Sequence, residues 1–93
     1  MSFEDFRKSI ENNLKPIAKI ELQEYHFEPY NFGSGILGLR INGRIHKFVF
    51  DGKENELTWL ASKPHEKYCG AELTEIKRIN SLELSIVELK SEI

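Results

Sequence analysis

Two residues, Asn42-Gly43, constrain this chain more than any others. They separate Ile36–Ile41 from Arg44–Phe50, two short segments rich in aliphatic and aromatic side chains. A two-residue type I′ turn needs φ > 0 at both central positions, and Asn-Gly is the dipeptide that best tolerates this. The segments are therefore expected to form an antiparallel hairpin. The turn also dictates register, setting Ile41 opposite Arg44, Leu39 opposite His46 and Leu37 opposite Phe48. Because side chains alternate across a strand, one face then carries Leu37, Leu39, Ile41, Phe48 and Phe50. The other carries Ile36, Arg40, Ile45, Lys47 and Val49. The first face is the more apolar and is the expected core, with Arg44 and His46 at its turn end.

An apolar sheet face must be covered by another layer, and the N-terminus supplies one. Phe3, Phe6, Ile10 and Leu14 recur at steps of three and four, which predicts a helix over 2–13. Ser2 is a suitable N-cap, and Asp5 lies near the positive end of the helix. Asn12-Asn13 and Pro16 end it, since the residue before proline is pushed toward extended geometry. Ile17–Phe27 reads as extended. Ala18, Ile20 and Leu22 share one parity, whereas Tyr25 and Phe27 fall on the other, so a bulge is expected near Gln23-Glu24. Glu28–Ser34 is a loop. Asp51–Asn55 forms a second turn before a fourth strand, Glu56–Ala61, and a polar loop follows to Gly70. The tail, 71–93, stays open at this level. Ile79, Leu82, Ile86, Leu89 and Ile93 fit one helical face, while Leu82, Leu84 and Ile86 also alternate as in a strand.

The composition suits one domain spanning 1–93. Of the 93 residues, 40% are hydrophobic and 30% charged, which is too apolar for a disordered tail. The net charge of −2 lacks the basic excess of a nucleic-acid binder, so no nucleic-acid partner is expected. The charge is uneven: residues 36–67 hold six Lys/Arg against four Asp/Glu, and the flanks hold seven against eleven. A locally basic hairpin on an acidic background can orient a partner. A single cysteine, Cys69, excludes an intrachain disulfide and suggests a reducing compartment. With no cationic-apolar leader and no long apolar run, the expected location is cytoplasmic, with no membrane partner.

Catalytic patterns are weak throughout. Cys69 follows His65 by four residues, but a thiol nucleophile also needs a base held in place, and the surrounding residues match no thiol-enzyme signature. His65, Glu66 and Cys69 offer only one short metal-ligand spacing where a structural zinc site wants paired ones. Gly33-Ser34-Gly35 precedes a strand, not the helix N-terminus that a phosphate loop requires. Asp51, Glu54 and Glu56 flank an expected turn, which argues against acid–base work in a cleft. The expectation is therefore no enzyme, no metal and no cofactor.

The aromatic run is more informative. Tyr25, Phe27, Tyr30 and Phe32 surround Pro29. Such side chains either close one end of a core or form an interface, where aromatics and Arg are enriched. Phe27 and Phe32 suit the interior, and Tyr25 and Tyr30 suit the surface. Arg40, on the less apolar hairpin face, and Arg44, at the turn, are expected to project outward. The candidate partner-binding residues are thus Tyr25, Tyr30, Arg40 and Arg44.

The stretch Phe32-Gly33-Ser34-Gly35-Ile36-Leu37-Gly38-Leu39, the Asn42-Gly43-Arg44 turn, Phe48-Val49-Phe50-Asp51-Gly52 and Leu57-Thr58-Trp59 together resemble small immunity proteins of bacterial polymorphic toxin systems. The resemblance implies a protein that binds and masks a toxin domain; it assigns no functional residue. The combined reading is an α+β domain with an N-terminal helix, a four-stranded mainly antiparallel sheet around the central hairpin, and a C-terminal helix. Its expected function is non-catalytic binding of another protein, a toxin or enzyme domain. A homodimer or other homo-oligomer is the alternative, and a small metal-binding or thiol enzyme comes third.

Overall fold

The computed structural model describes residues 2–62, 73–80 and 82–92. Helix α1 spans Phe3–Leu14. The Ser2 hydroxyl accepts from the Asp5 amide at 3.1 Å, which satisfies one of the free donors at the helix start. Phe3, Phe6, Ile10 and Leu14 are all buried, as their spacing requires. After Pro16 the chain turns sharply, and the amides of Ile17 and Ala18 both donate to the Leu14 carbonyl.

Five strands follow as an antiparallel meander in chain order: β1 Ile20–Glu28, β2 Ser34–Ile41, β3 Arg44–Asp51, β4 Glu56–Ala61 and β5 Thr74–Ile79. Helix α2, Leu82–Glu92, closes the fold. The architecture is the expected α+β arrangement, with one strand more than the sequence suggests. The tail divides at a place that neither pattern marks: Leu82, Leu84 and Ile86, which alternate as in a strand, are helical, and Ile79, expected on the helical face, ends a strand. Residues 74–79 pair with β4, and residues 82–92 coil into the helix.

The hairpin register is the one that Asn42-Gly43 dictates. Ile41 faces Arg44, Leu39 faces His46 and Leu37 faces Phe48, with φ of 50° at Asn42 and 86° at Gly43. The Asn42 side chain also ties the turn to the start of β1, accepting from the Lys19 amide at 3.0 Å. In β1 the register slips between Leu22 and Glu24. The bulge at Gln23 keeps Leu22 and Tyr25 on the same face despite their odd separation.

Both helices lie on the face carrying Leu37, Leu39, Ile41, Phe48 and Phe50, and they touch each other above it. β4 adds Leu57 and Trp59, β5 adds Ile79 and α2 adds Leu89. Each large side chain fully removed from water stabilises the fold by about 1.5–3 kcal/mol. Two polar side chains are buried among the described residues, Ser62, whose hydroxyl accepts from the Ile45 amide, and His46. The His46 Nδ1 accepts from the Trp59 indole N–H at 3.0 Å. That bond fixes the imidazole proton on Nε2. Burial, with a smaller contribution from the Arg44 charge, pushes the His46 pKa down to about 4.

At the other end of the hairpin, the turn after β1 packs against the turn after β3. Gly52 donates its amide to Ser34 Oγ at 3.0 Å, and a Cβ at Gly52 would collide with the Phe32 carbonyl oxygen.

Candidate functional site

Among the described residues, the exposed large apolar side chains gather along one stretch of the chain. Eight large hydrophobic side chains are exposed there, and six of them lie between positions 17 and 32. Three, Leu22, Tyr25 and Phe27, sit along β1. They point to the helix-covered face, because their cross-strand partners are Leu39, Leu37 and Gly35. They are nevertheless exposed, at 64%, 45% and 38%, so α1 does not reach across the edge strand.

The space left between α1 and β1 is a half-open groove of about 540 Å³. Ile10, Leu37 and Leu39 form its floor, and Ile20, Leu22 and Tyr25 form its β1 wall. Arg7, Glu11 and Lys15 stand along the helix rim. Arg7 bridges Glu4 and Glu11, both at 3.0 Å, and its guanidinium lies 5.8 Å from the Tyr25 ring centroid. The Tyr25 hydroxyl donates to Glu4 Oε1 at 2.6 Å. These contacts lower the Glu4 pKa, chiefly through the Arg7 hydrogen bond and then through Tyr25. The Glu4 bond in turn raises the Tyr25 phenol. The Tyr25 ring also lies 5.8 Å from Phe3. Tyr25 is thus held in one orientation while still half open to solvent.

The other residues expected at a binding surface lie elsewhere. Tyr30 is fully exposed in the turn between β1 and β2. Arg40 is half-buried on the opposite sheet face, across from Glu21 on β1 and Ile45 on β3. Arg44 does not project freely outward as expected. It is half-buried, and its Nε donates to the Ser62 carbonyl at 2.7 Å, which ties the hairpin tip to the end of β4. Tyr30 and Arg44 flank opposite ends of the eight-residue strand β2, about 25 Å apart at extended rise. The four residues therefore form no single surface, and only Tyr25 belongs to the groove. Phe27 stacks on Phe3 at 5.9 Å but keeps an exposed edge. Phe32, expected inside, is exposed at φ 56°, with the Lys53 ammonium 5.9 Å from its ring centroid. Its backbone is committed to the turn that docks on Gly52, and this directs the ring away from the core.

Ile20, Leu22, Arg7 and Lys15 were not singled out by the sequence. The available signal was the parity change at Gln23, which places Leu22 and Tyr25 on one face. The order of strands that leaves β1 at the edge carries no local sequence mark.

For catalysis the described residues offer little. No three His, Cys, Asp or Glu residues gather there as a metal site would require. His46 is walled in by Phe48 and Trp59. His65 and Cys69 lie outside the described residues. No described helix is long and apolar enough to cross a membrane. Comparison with family models, curated proteins and solved structures finds no match.

Proposed function

We propose that this protein is a non-catalytic binding module that masks another protein, a toxin or enzyme domain, as the resemblance to immunity proteins implies. The carrying observation is the gathering of exposed apolar side chains on β1 and its flanking turns. Contiguous exposed apolar surface rimmed by charge is what interaction sites present. Tyr25, oriented by Glu4, Arg7 and Phe3, offers ring area at low entropic cost on binding, as interface hot spots do.

The test is co-expression with the product of the adjacent gene, followed by calorimetry on the purified pair. A complex that inhibits the partner's activity, and that weakens about tenfold or more on Leu22→Asp, supports the reading. An adjacent product that neither binds nor is inhibited counts against it.

A further inference from the structure

We infer that β1 is a strand-addition site for an extended segment that alternates apolar and basic side chains. The inference rests on the binding-module reading and names the chemistry of what is bound. Within the described residues β1 is an end strand that pairs only with β2, so one row of its backbone donors and acceptors has no sheet partner. An open edge of this kind accepts a further strand through main-chain hydrogen bonds, while alternate side chains supply specificity.

The bulge at Gln23 breaks the edge and leaves Glu24–Glu28 as its longest regular run. The two faces of that run differ sharply. Tyr25 and Phe27 point to the helix side, with Leu22 beyond them, and all three are exposed. Glu24, His26 and Glu28 point to the other side. The nine residues of β1 include three Glu and no Lys or Arg. Arg40 lies across from Glu21 on β2, and two lysines stand at the long end of ion-pair range, Lys47 at 3.6 Å from Glu24 and Lys19 at 3.5 Å from Glu21. His26 sits 2.9 Å from Glu28 on the strand itself. Exposed pairs of this kind contribute little and exchange readily. A strand laid beside β1 would set its apolar side chains against Leu22, Tyr25 and Phe27, and basic ones against Glu24 and Glu28.

The same charges argue against a second copy at this edge. Antiparallel β1–β1 pairing would bring Glu rows together, and like charges across a ladder destabilise it. Edge strands are commonly guarded with Lys, charge or bulges. Here the bulge and the acidic row together guard against self-pairing and leave a basic strand admissible.

The experiment uses a fluorescent, end-capped peptide alternating lysine and valine, titrated into the intact protein and read by anisotropy. Its glutamate–valine counterpart, and versions N-methylated on one or the other set of alternate amides, serve as comparisons. The lysine peptide should bind at least about tenfold more tightly than the glutamate peptide. One N-methylated version should lose binding and the other keep it, because only one edge of an added strand faces β1. Glu24→Lys with Glu28→Lys should reverse the charge preference. Absence of lysine-peptide binding overturns the inference. So does equal binding of both charge types, or indifference to N-methylation. Sedimentation that shows self-association through β1, lost in the lysine variant, also overturns it by giving the edge to a second copy. If the adjacent gene product binds but ignores Glu24→Lys with Glu28→Lys, the strand-addition site is wrong and the masking function stands. If the peptides behave as expected and that product does not bind, the site stands and the masking function is wrong.

Discussion

The β2–β3 hairpin and the edge strand β1 are neighbours in one sheet, and they solve opposite problems. Each hairpin strand has partners on both sides, and its helix-side residues Leu37, Leu39, Phe48 and Phe50 are buried. Among the described residues β1 has a strand partner on one side, and every residue of β1 after Ile20 is exposed. The same kinds of side chain occur in both, so hydrophobicity does not separate them. Position in the sheet does, together with how far α1 reaches. A Phe in β3 stabilises the fold, whereas a Leu in β1 leaves apolar surface available for binding.

The largest expected effect breaks the hairpin side of this comparison. Phe48→Ala should cost about 3–5 kcal/mol, as large cavities in packed cores do. Leu22→Ala, at a site 64% exposed, should stay within about 0.5 kcal/mol. Urea unfolding of both variants checks the pair, and comparable losses would mean that α1 covers β1 after all. The next effect is acid sensitivity. His46 titrates near 4 in the folded protein against an ordinary 6.5. Below pH 6.5 the unfolded chain therefore binds a proton that the folded chain refuses. Stability is complete above about 6.5 and falls progressively toward pH 4. The shift is worth about 3 kcal/mol at ~1.4 kcal/mol per pH unit. Urea midpoints between pH 7 and pH 4 test this, and His46→Gln should flatten that part of the profile.

The hairpin was legible because its signal is local. Asn42-Gly43 carries the turn, and alternation carries the faces. The bulge at Gln23 was legible for the same reason, as a break in parity. Other features depend on distant residues. Thr74–Ile79 becomes a strand because β4 has a free edge, not because its own pattern demands it. Phe32 turns outward because Gly52 admits the Phe32 carbonyl at close range. Arg44, expected to project outward to a partner, is instead held by the Ser62 carbonyl at the end of the neighbouring strand, a contact that no local pattern announces. The groove depends on where α1 stops short of β1, a distance that no periodicity encodes. Tyr25 was legible as an aromatic at the surface, but its tie to Glu4 required the helix and the edge strand to meet.

Two smaller effects sharpen the comparison. Gly43→Val has room for its side chain, since nothing lies within 4 Å of a Cβ there. Its cost comes from φ alone, which a β-branched residue resists. We expect a loss of about 1–3 kcal/mol, measured by thermal unfolding. An unchanged midpoint would mean that the turn does not hold the register.

The smallest effect belongs to the edge. Tyr25→Phe keeps the ring on Phe3 and beneath Arg7 and removes only the hydroxyl bond to Glu4. At this exposed site stability should change by less than about 0.5 kcal/mol. The bond is better read by titration. Tyr25 should ionise above the ordinary 10.0, because its proton is held against the Glu4 carboxylate. Glu4→Gln removes that charge and should return the phenol toward its ordinary value, while the melting temperature barely moves. Ultraviolet difference spectra through the alkaline range follow this directly, with Tyr25→Phe identifying the signal. If Glu4→Gln leaves the Tyr25 titration unchanged, the phenol is not held by Glu4, and the groove wall is a loose side chain, not a preset ring. Partner affinity would then carry the entropic cost of ordering Tyr25. Tyr25→Phe should weaken binding little if the ring is the contact, and strongly if the Glu4-held hydroxyl is needed to keep it in place.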